Sequence, residues 1–350
     1  MLLKSKDKIK EWLDKYEIKN YKLIFNEEFN YVVNVYEDVY LHSQNIKSID
    51  VKFNEIQGSF YCNNNKLKSL EGCPEIINGN FNCSINKLES LKYAPKEING
   101  NFFCNDNELT TLEFCPKNKI YAFSCSNNKL KSLEGCPKII EEYFDCSNNY
   151  LTDLVGCAEI VNGHFYNINN KLETLKGCPT IIDGIFNCSY NKLKSIKYFP
   201  KKIKDSIDLS NNELESLDGF PEIVNGYVDL SYNKLKSLES CSRIIKGDFH
   251  CSSNELTSLK GCPEMINGDF YLDKNDLKIE GLKNLLIINE IEVFLFGNEK
   301  LGDLQNINDF NVLREKIKEL FKIKEEKENL LNLINQEELN TNIKSSINKI

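Results

Sequence analysis

Histidine is scarce: the whole chain holds three, His42, His164 and His250, each in a different copy of the repeat described below. Residues so far apart cannot share one metal ion or one proton relay. No run of 18 apolar residues occurs, which excludes a membrane-spanning helix. Basic residues do not prevail either. Lys and Arg number 44 against 52 Asp and Glu, a net charge of −8. Without a basic stripe to displace counterions from phosphates, nucleic acid is excluded as a partner. The opening "MLLKSKDKIKEWLDKY" lacks the apolar core of a secretory signal, so a cytosolic protein is expected. Proline is rare as well, with eight residues in the chain.

Those eight prolines disclose the organisation. Pro74, Pro95, Pro116, Pro137, Pro179, Pro200, Pro221 and Pro263 all occupy one column of a 21-residue repeat. About twelve copies run from residue 38 to 279 without insertion or deletion. Phe60, Phe81, Phe102, Phe123, Phe144, Phe165, Phe186, Phe249 and Phe270 form a second column. Two residues later comes a cysteine column, and the alternation Phe-x-Cys puts both side chains on one face of a short strand. An asparagine column follows, from Asn65 to Asn275, then paired leucines such as Leu88 and Leu91. A glycine column closes most copies. A single copy cannot bury its own Phe, Cys and Leu, but stacked copies make one continuous core. The Asn amide, with donors and acceptor together, suits the buried turn after each strand.

The stretch "FNCSINKLESLKYAP" resembles the leucine-rich-repeat pattern L-x-L-x-x-N-x-L, with Phe and Cys in the first two apolar slots. The resemblance covers about two-thirds of the chain. It implies an α/β solenoid, a leucine-rich-repeat horseshoe with a parallel β-sheet on its concave face. A proline and a glycine in most of the 21-residue turns leave no room for a full helix, so the convex side is expected to be extended or 3-10. At about 4.8 Å per strand the inner face would be on the order of 55 Å long.

All fourteen cysteines fall in two columns. Seven lie in the strand column and seven precede the proline or its replacement. Ala94, Phe199 and Phe220 substitute in the second column; Leu209, Leu230 and Leu272 substitute in the first. Positions that accept such residues want apolar bulk, which free Cys supplies. A straight ladder of thiols cannot converge on a metal. Neighbours about 4.8 Å apart do not match the roughly 3.8 Å between bridged Cβ atoms. The cysteines read as structural, in a reducing compartment.

The ends should cap the solenoid. Ile9, Trp12, Leu13 and Tyr16 make an amphipathic helix stripe, and residues 1–37 read as an N-terminal cap of helix plus strands. Residues 280–310 read as a C-terminal cap and 311–350 as a helical tail. Val312, Leu313, Ile317, Leu320 and Phe321 form one stripe there, and Leu330, Leu331, Ile334 and Leu339 another. The tail is either a capping helix or a coiled coil for self-association or docking. The head "KIKEWLDKYEIKNYKL" joined to these repeats resembles uncharacterised leucine-rich-repeat proteins of tailed bacteriophages and low-GC bacteria.

No reaction is expected, and no cofactor. Some related effectors of Gram-negative pathogens carry a C-terminal ubiquitin ligase with a nucleophilic cysteine. Here no cysteine follows Cys262.

Binding residues are sought on the concave face, whose outward positions are mostly Ser and Asn. Against that background Asp208, Asp229, His250 and Tyr271 succeed one another in the column between Phe and Cys. Tyr227, Asp248 and Asp269 lie just before their strands, and Tyr190, Tyr232 and Asp273 just after. Stacked like charges cost stability, so a basic protein partner is one reason to keep them; a merely solvated acidic face is the other reading. Tyr61, Phe103, Tyr143, His164 and Tyr166 form a secondary patch. The expected function is a non-enzymatic intracellular protein-binding module, engaging a host protein if phage-encoded. The alternatives are an assembly protein that forms a homo-oligomer through its C-terminal helix, and a small-ligand binder near His250.

Overall fold

A Phe-x-Cys alternation needs only two residues of strand to aim both side chains inward, and the strands are that short. The computed structural model describes residues 2–286, 288, 291–307 and 309–347. In it a 13-stranded parallel sheet runs in chain order from Val39–Tyr40 to Val293–Phe294. Register repeats without slip: Phe60 pairs with Phe81, Phe81 with Phe102, and Phe123 with Phe144. The fold is a leucine-rich-repeat solenoid of 21-residue coils. The return segments are extended, as the prolines require, and add short parallel strands of their own, such as Ile76–Ile77 and Ile181–Ile182. These join into sheets of five, four and three strands along the outer wall.

The core is a spine of rings. Phe81, Phe102, Phe123 and Phe144 stack with centroids 5.4 Å apart at each step. Each buried ring contributes roughly 1.5–3 kcal/mol. Where the column narrows to Ile207 and Val228, Phe199 and Phe220 enter from the second cysteine column. Phe186 meets Phe199 edge-on at 5.5 Å, and Phe199 meets Phe220 at 5.7 Å. Ring volume moves between columns while the core stays filled, as close packing demands.

Eleven cysteines are buried, and Cys178, Cys241 and Cys262 are half-buried against the same core. All fourteen are free thiols. Burial pushes the Cys136, Cys241 and Cys262 thiols up to about 12. One copy breaks the column: Asn167 is fully buried and its Nδ2 has no hydrogen-bond partner.

The asparagines form a second ladder. Asn128 Nδ2 donates to the carbonyls of Cys104, Cys125 and Ser126 at 3.0–3.1 Å. One residue before each of these, the chain turns through left-handed backbone. Asn64, Asn127, Asn148, Asn169 and Asn211 hold φ between 52° and 55° there, a region asparagine tolerates better than most residues.

At the front, α1 (Lys6–Lys15) buries Ile9, Trp12 and Leu13, with Trp12 edge-on to Phe53 at 6.1 Å. An antiparallel hairpin of β1 (Tyr21–Asn26) and β2 (Asn30–Val35) extends the first return sheet. At the back, "EVFLFGN" builds a thirteenth coil. Its Asn298 joins the ladder, donating to Leu272 and Leu295 carbonyls at 2.9 and 2.8 Å. The helix α2 (Phe310–Ile347) then lays Phe310, Leu313 and Ile317 onto the open end. Val312, placed in that stripe by its spacing, instead faces solvent, because the buried face runs through 310, 313 and 317. Leu331 is exposed; the side chains of Leu330, Ile334 and Leu339 lie outside the described residues.

Candidate protein-binding face

Between each inward Phe and Cys stands one residue that faces the hollow of the solenoid. Across five adjacent strands these are Asp208, Asp229, His250, Tyr271 and Phe294, in direct register. The last three rings stack almost parallel. His250 and Tyr271 have centroids 4.3 Å apart at 5°, and Tyr271 and Phe294 4.6 Å apart at 5°. The 21-residue spacing does not reach Phe294 and the exposed Phe296, because the last coil is two residues longer and leaves the columns. The alternation V-F-L-F-G-N beside F-Y-L-D-K-N is the signal that could have found them.

The carboxylates have backbone work to do. Asp208 Oδ1 accepts the Ser210 N–H at 3.0 Å, and Asp229 Oδ1 accepts that of Ser231 at 2.8 Å. Asn82 and Asn187 do the same for Ser84 and Ser189. Asp248 accepts the Asp269 N–H at 2.9 Å and Asp273 that of Phe296 at 2.8 Å. Local structure is therefore a second reason for polar residues here, beside any partner. It explains a short polar side chain but not a charge, since asparagine serves equally.

Away from the concave face some acids pair with a lysine one coil away, as in Glu75–Lys96 at 2.8 Å, Glu108–Lys129 at 3.0 Å and Glu213–Lys234 at 2.8 Å. Among the described residues Asp208, Asp229, Asp248, Asp269 and Asp273 have no such partner. Burial raises the Asp208 carboxyl above the usual range despite hydrogen bonds from Ser210 and Asn187. Tyr227 beside it is pushed up to about 12, first by burial and then by Asp208 and Asp229. Tyr190 and Tyr232 occupy the left-handed turn column at φ 56° and 57°, and 58% and 55% of their surface is exposed. Bulky residues held there store strain of about 1 kcal/mol or more each.

The five residues of the secondary patch divide into separate contacts. Tyr61 stacks on Tyr40 at 5.3 Å. Phe103 and Tyr143 lie parallel at 6.4 Å, across the coil whose outward residues are the small, buried Ala122 and Ser124. His164 Nδ1 accepts the Ile185 N–H at 3.0 Å, and its ring lies 6.0 Å from Tyr166.

Among the described residues no group of three His, Cys, Asp or Glu could hold a metal. No helix among them is long and apolar enough to cross a membrane. No family model matches the chain, and no curated protein matches it. Among solved structures it is similar to the leucine-rich repeat domain of APL1B, at 18% identity and a TM-score of 0.49, covering 84% of this chain and 93% of that one. A second APL1 leucine-rich repeat domain gives 18% identity and 0.47, covering 76% and 91%. YopM from Yersinia enterocolitica WA-314 gives 16% and 0.25, covering 69% and 78%. Likeness at this level leaves both fold and function to be judged on the chain's own geometry.

Proposed function

We propose that the chain is a non-enzymatic protein-binding module whose C-terminal concave face takes a basic partner. One observation carries this: Asp208, Asp229, Asp248, Asp269 and Asp273 cluster on neighbouring concave strands, and among the described residues none has a lysine or arginine partner. Uncompensated, partly desolvated charges of one sign raise the free energy of the unbound face and are relieved by a cationic surface. The tyrosines beside them, and the His250–Tyr271–Phe294 stack, supply the rigid aromatic area typical of interface anchors. The wall of thiols adds nothing reactive, since the reactive form of a cysteine is the thiolate and burial disfavours it. On the resemblance of its head, the protein works in a bacterial cytosol and, if phage-encoded, engages a host protein.

The test is capture from bacterial lysate with the wild-type chain and with a variant carrying Asp208→Asn, Asp229→Asn and Tyr227→Ala. The asparagines keep the backbone caps and remove the charge, and at position 208 the substitution also takes away the acceptor of Asn187 Nδ2. A partner retained by wild type, lost by the variant and released by salt supports the reading. Capture that ignores these changes removes it.

A second reading, assembly through α2, draws on that helix's exposed Ile323 and Leu331. Light scattering on the full chain and on one ending at Phe321 separates the two. A tail-dependent oligomer favours assembly.

A further inference from the structure

The first strand of the main sheet has no coil before it. Its outward residues Asp38, Tyr40 and His42 line a cleft of about 480 Å³ together with Gln44 and with Lys15, Tyr16, Glu17 and Ile18 at the end of α1. This cleft lies at the opposite end of the concave face from the acidic patch. Tyr40 is the last ring of a stack. Tyr61 covers one of its faces, 5.3 Å away and 6° from parallel, yet 54% of Tyr40 remains exposed. Among the described residues no second ring stacks on Tyr40. His42 stands edge-on to it at 6.1 Å and 85°.

Polar groups surround that open ring face. Asp38 accepts the Tyr40 hydroxyl at 2.8 Å and the Ser59 N–H at 2.7 Å. An ionised carboxylate offers roughly four acceptor positions, so about two remain. Lys15 Nζ is held 5.0 Å over the Tyr16 ring and has no carboxylate partner among the described residues.

We propose that this cleft binds a purine mononucleotide. The base continues the Tyr61–Tyr40 stack, as bases do on exposed aromatic shelves. Asp38 accepts from its amino-bearing edge, Gln44 supplies a donor and an acceptor, and Lys15 meets the phosphate. The volume falls in the range of small-ligand sites. Lys15 is the one cation in a lining that also holds the carboxylates of Asp38 and Glu17, which suits at most one phosphate and no polyanion.

Ligand-observed NMR and calorimetric titration of the full chain test it, with guanosine monophosphate and adenosine monophosphate as probes and ribose 5-phosphate as control. Saturable binding of a purine monophosphate, and none of the sugar phosphate, is expected. Tyr40→Ala should weaken binding about tenfold or more. Tyr40→Leu should do the same, separating ring stacking from apolar bulk. Lys15→Ala should weaken the monophosphate while leaving guanosine or adenosine unchanged. Each variant is checked by thermal melting. No saturable binding at millimolar nucleotide, or affinity indifferent to Tyr40 in a folded variant, would overturn the assignment.

Discussion

Asn128 Oδ1 accepts the backbone N–H of Leu109, nineteen residues earlier, at 2.9 Å. The amide of one coil thus closes the turn of the coil before it, while its Nδ2 spans both. Asn128→Ala strands the Leu109 N–H in a dry interior, while the carbonyls of Cys104, Cys125 and Ser126 keep Asn107 Nδ2, Asn149 Nδ2 and the Asp106 N–H as donors. A loss of roughly 1–3 kcal/mol follows from the orphaned N–H, measured by urea unfolding. A loss of a few tenths would show that the ladder is not structural.

Asn167 is the position where the same chemistry is misplaced. It sits fully buried in the cysteine column, its Oδ1 taking Asn170 Nδ2 at 2.5 Å and its own Nδ2 left unpaired. Asn167→Cys restores the column and frees Asn170 for the backbone carbonyl its counterparts use. Unfolding should shift toward higher stability by about 1 kcal/mol or more; a destabilised variant would contradict the packing described.

Much of this architecture is legible in sequence, because each column repeats in phase and substitutions within it report what the site needs. Leu209 and Phe220 in cysteine columns already say that bulk, not sulfur, is wanted. The face is less legible. Sequence puts Asn82, Asn187, Asp208 and Asp229 in one column but does not show that each caps the backbone N–H two residues on, which only the folded turn reveals. Nor does it show that Phe103 reaches Tyr143, two coils away, over a gap left by Ala122 and Ser124. Phe294 escaped because two extra residues put it out of column.

If the cysteines are bricks, the eleven buried thiols should resist alkylation in the native state, with slow labelling confined to Cys178, Cys241 and Cys262. All fourteen should react in denaturant. Exhaustive chelation should leave the melting temperature unchanged. Rapid native labelling, or a melt that collapses with chelator, would contradict the core assignment.

Asp208 gives the face a pH signature. Its folded-state carboxyl is raised above the usual 3.8, chiefly by burial. The folded state therefore prefers the protonated form, and this residue's contribution is most favourable below the unfolded value and is lost as pH rises through the folded one. Asp208→Asn should melt higher than wild type at pH 7, with the gap closing toward pH 3. A gap that widens on acidification would reverse the assigned sign.

Site-specific photo-crosslinking to the captured partner tests the central claim most directly. A photoreactive residue replaces Tyr232, on the concave rim, or Tyr198, a comparably exposed tyrosine in the return turn. Crosslinks from position 232 and none from 198 are predicted. Crosslinks from 198 with none from 232 would place the partner on the wrong wall and contradict the account.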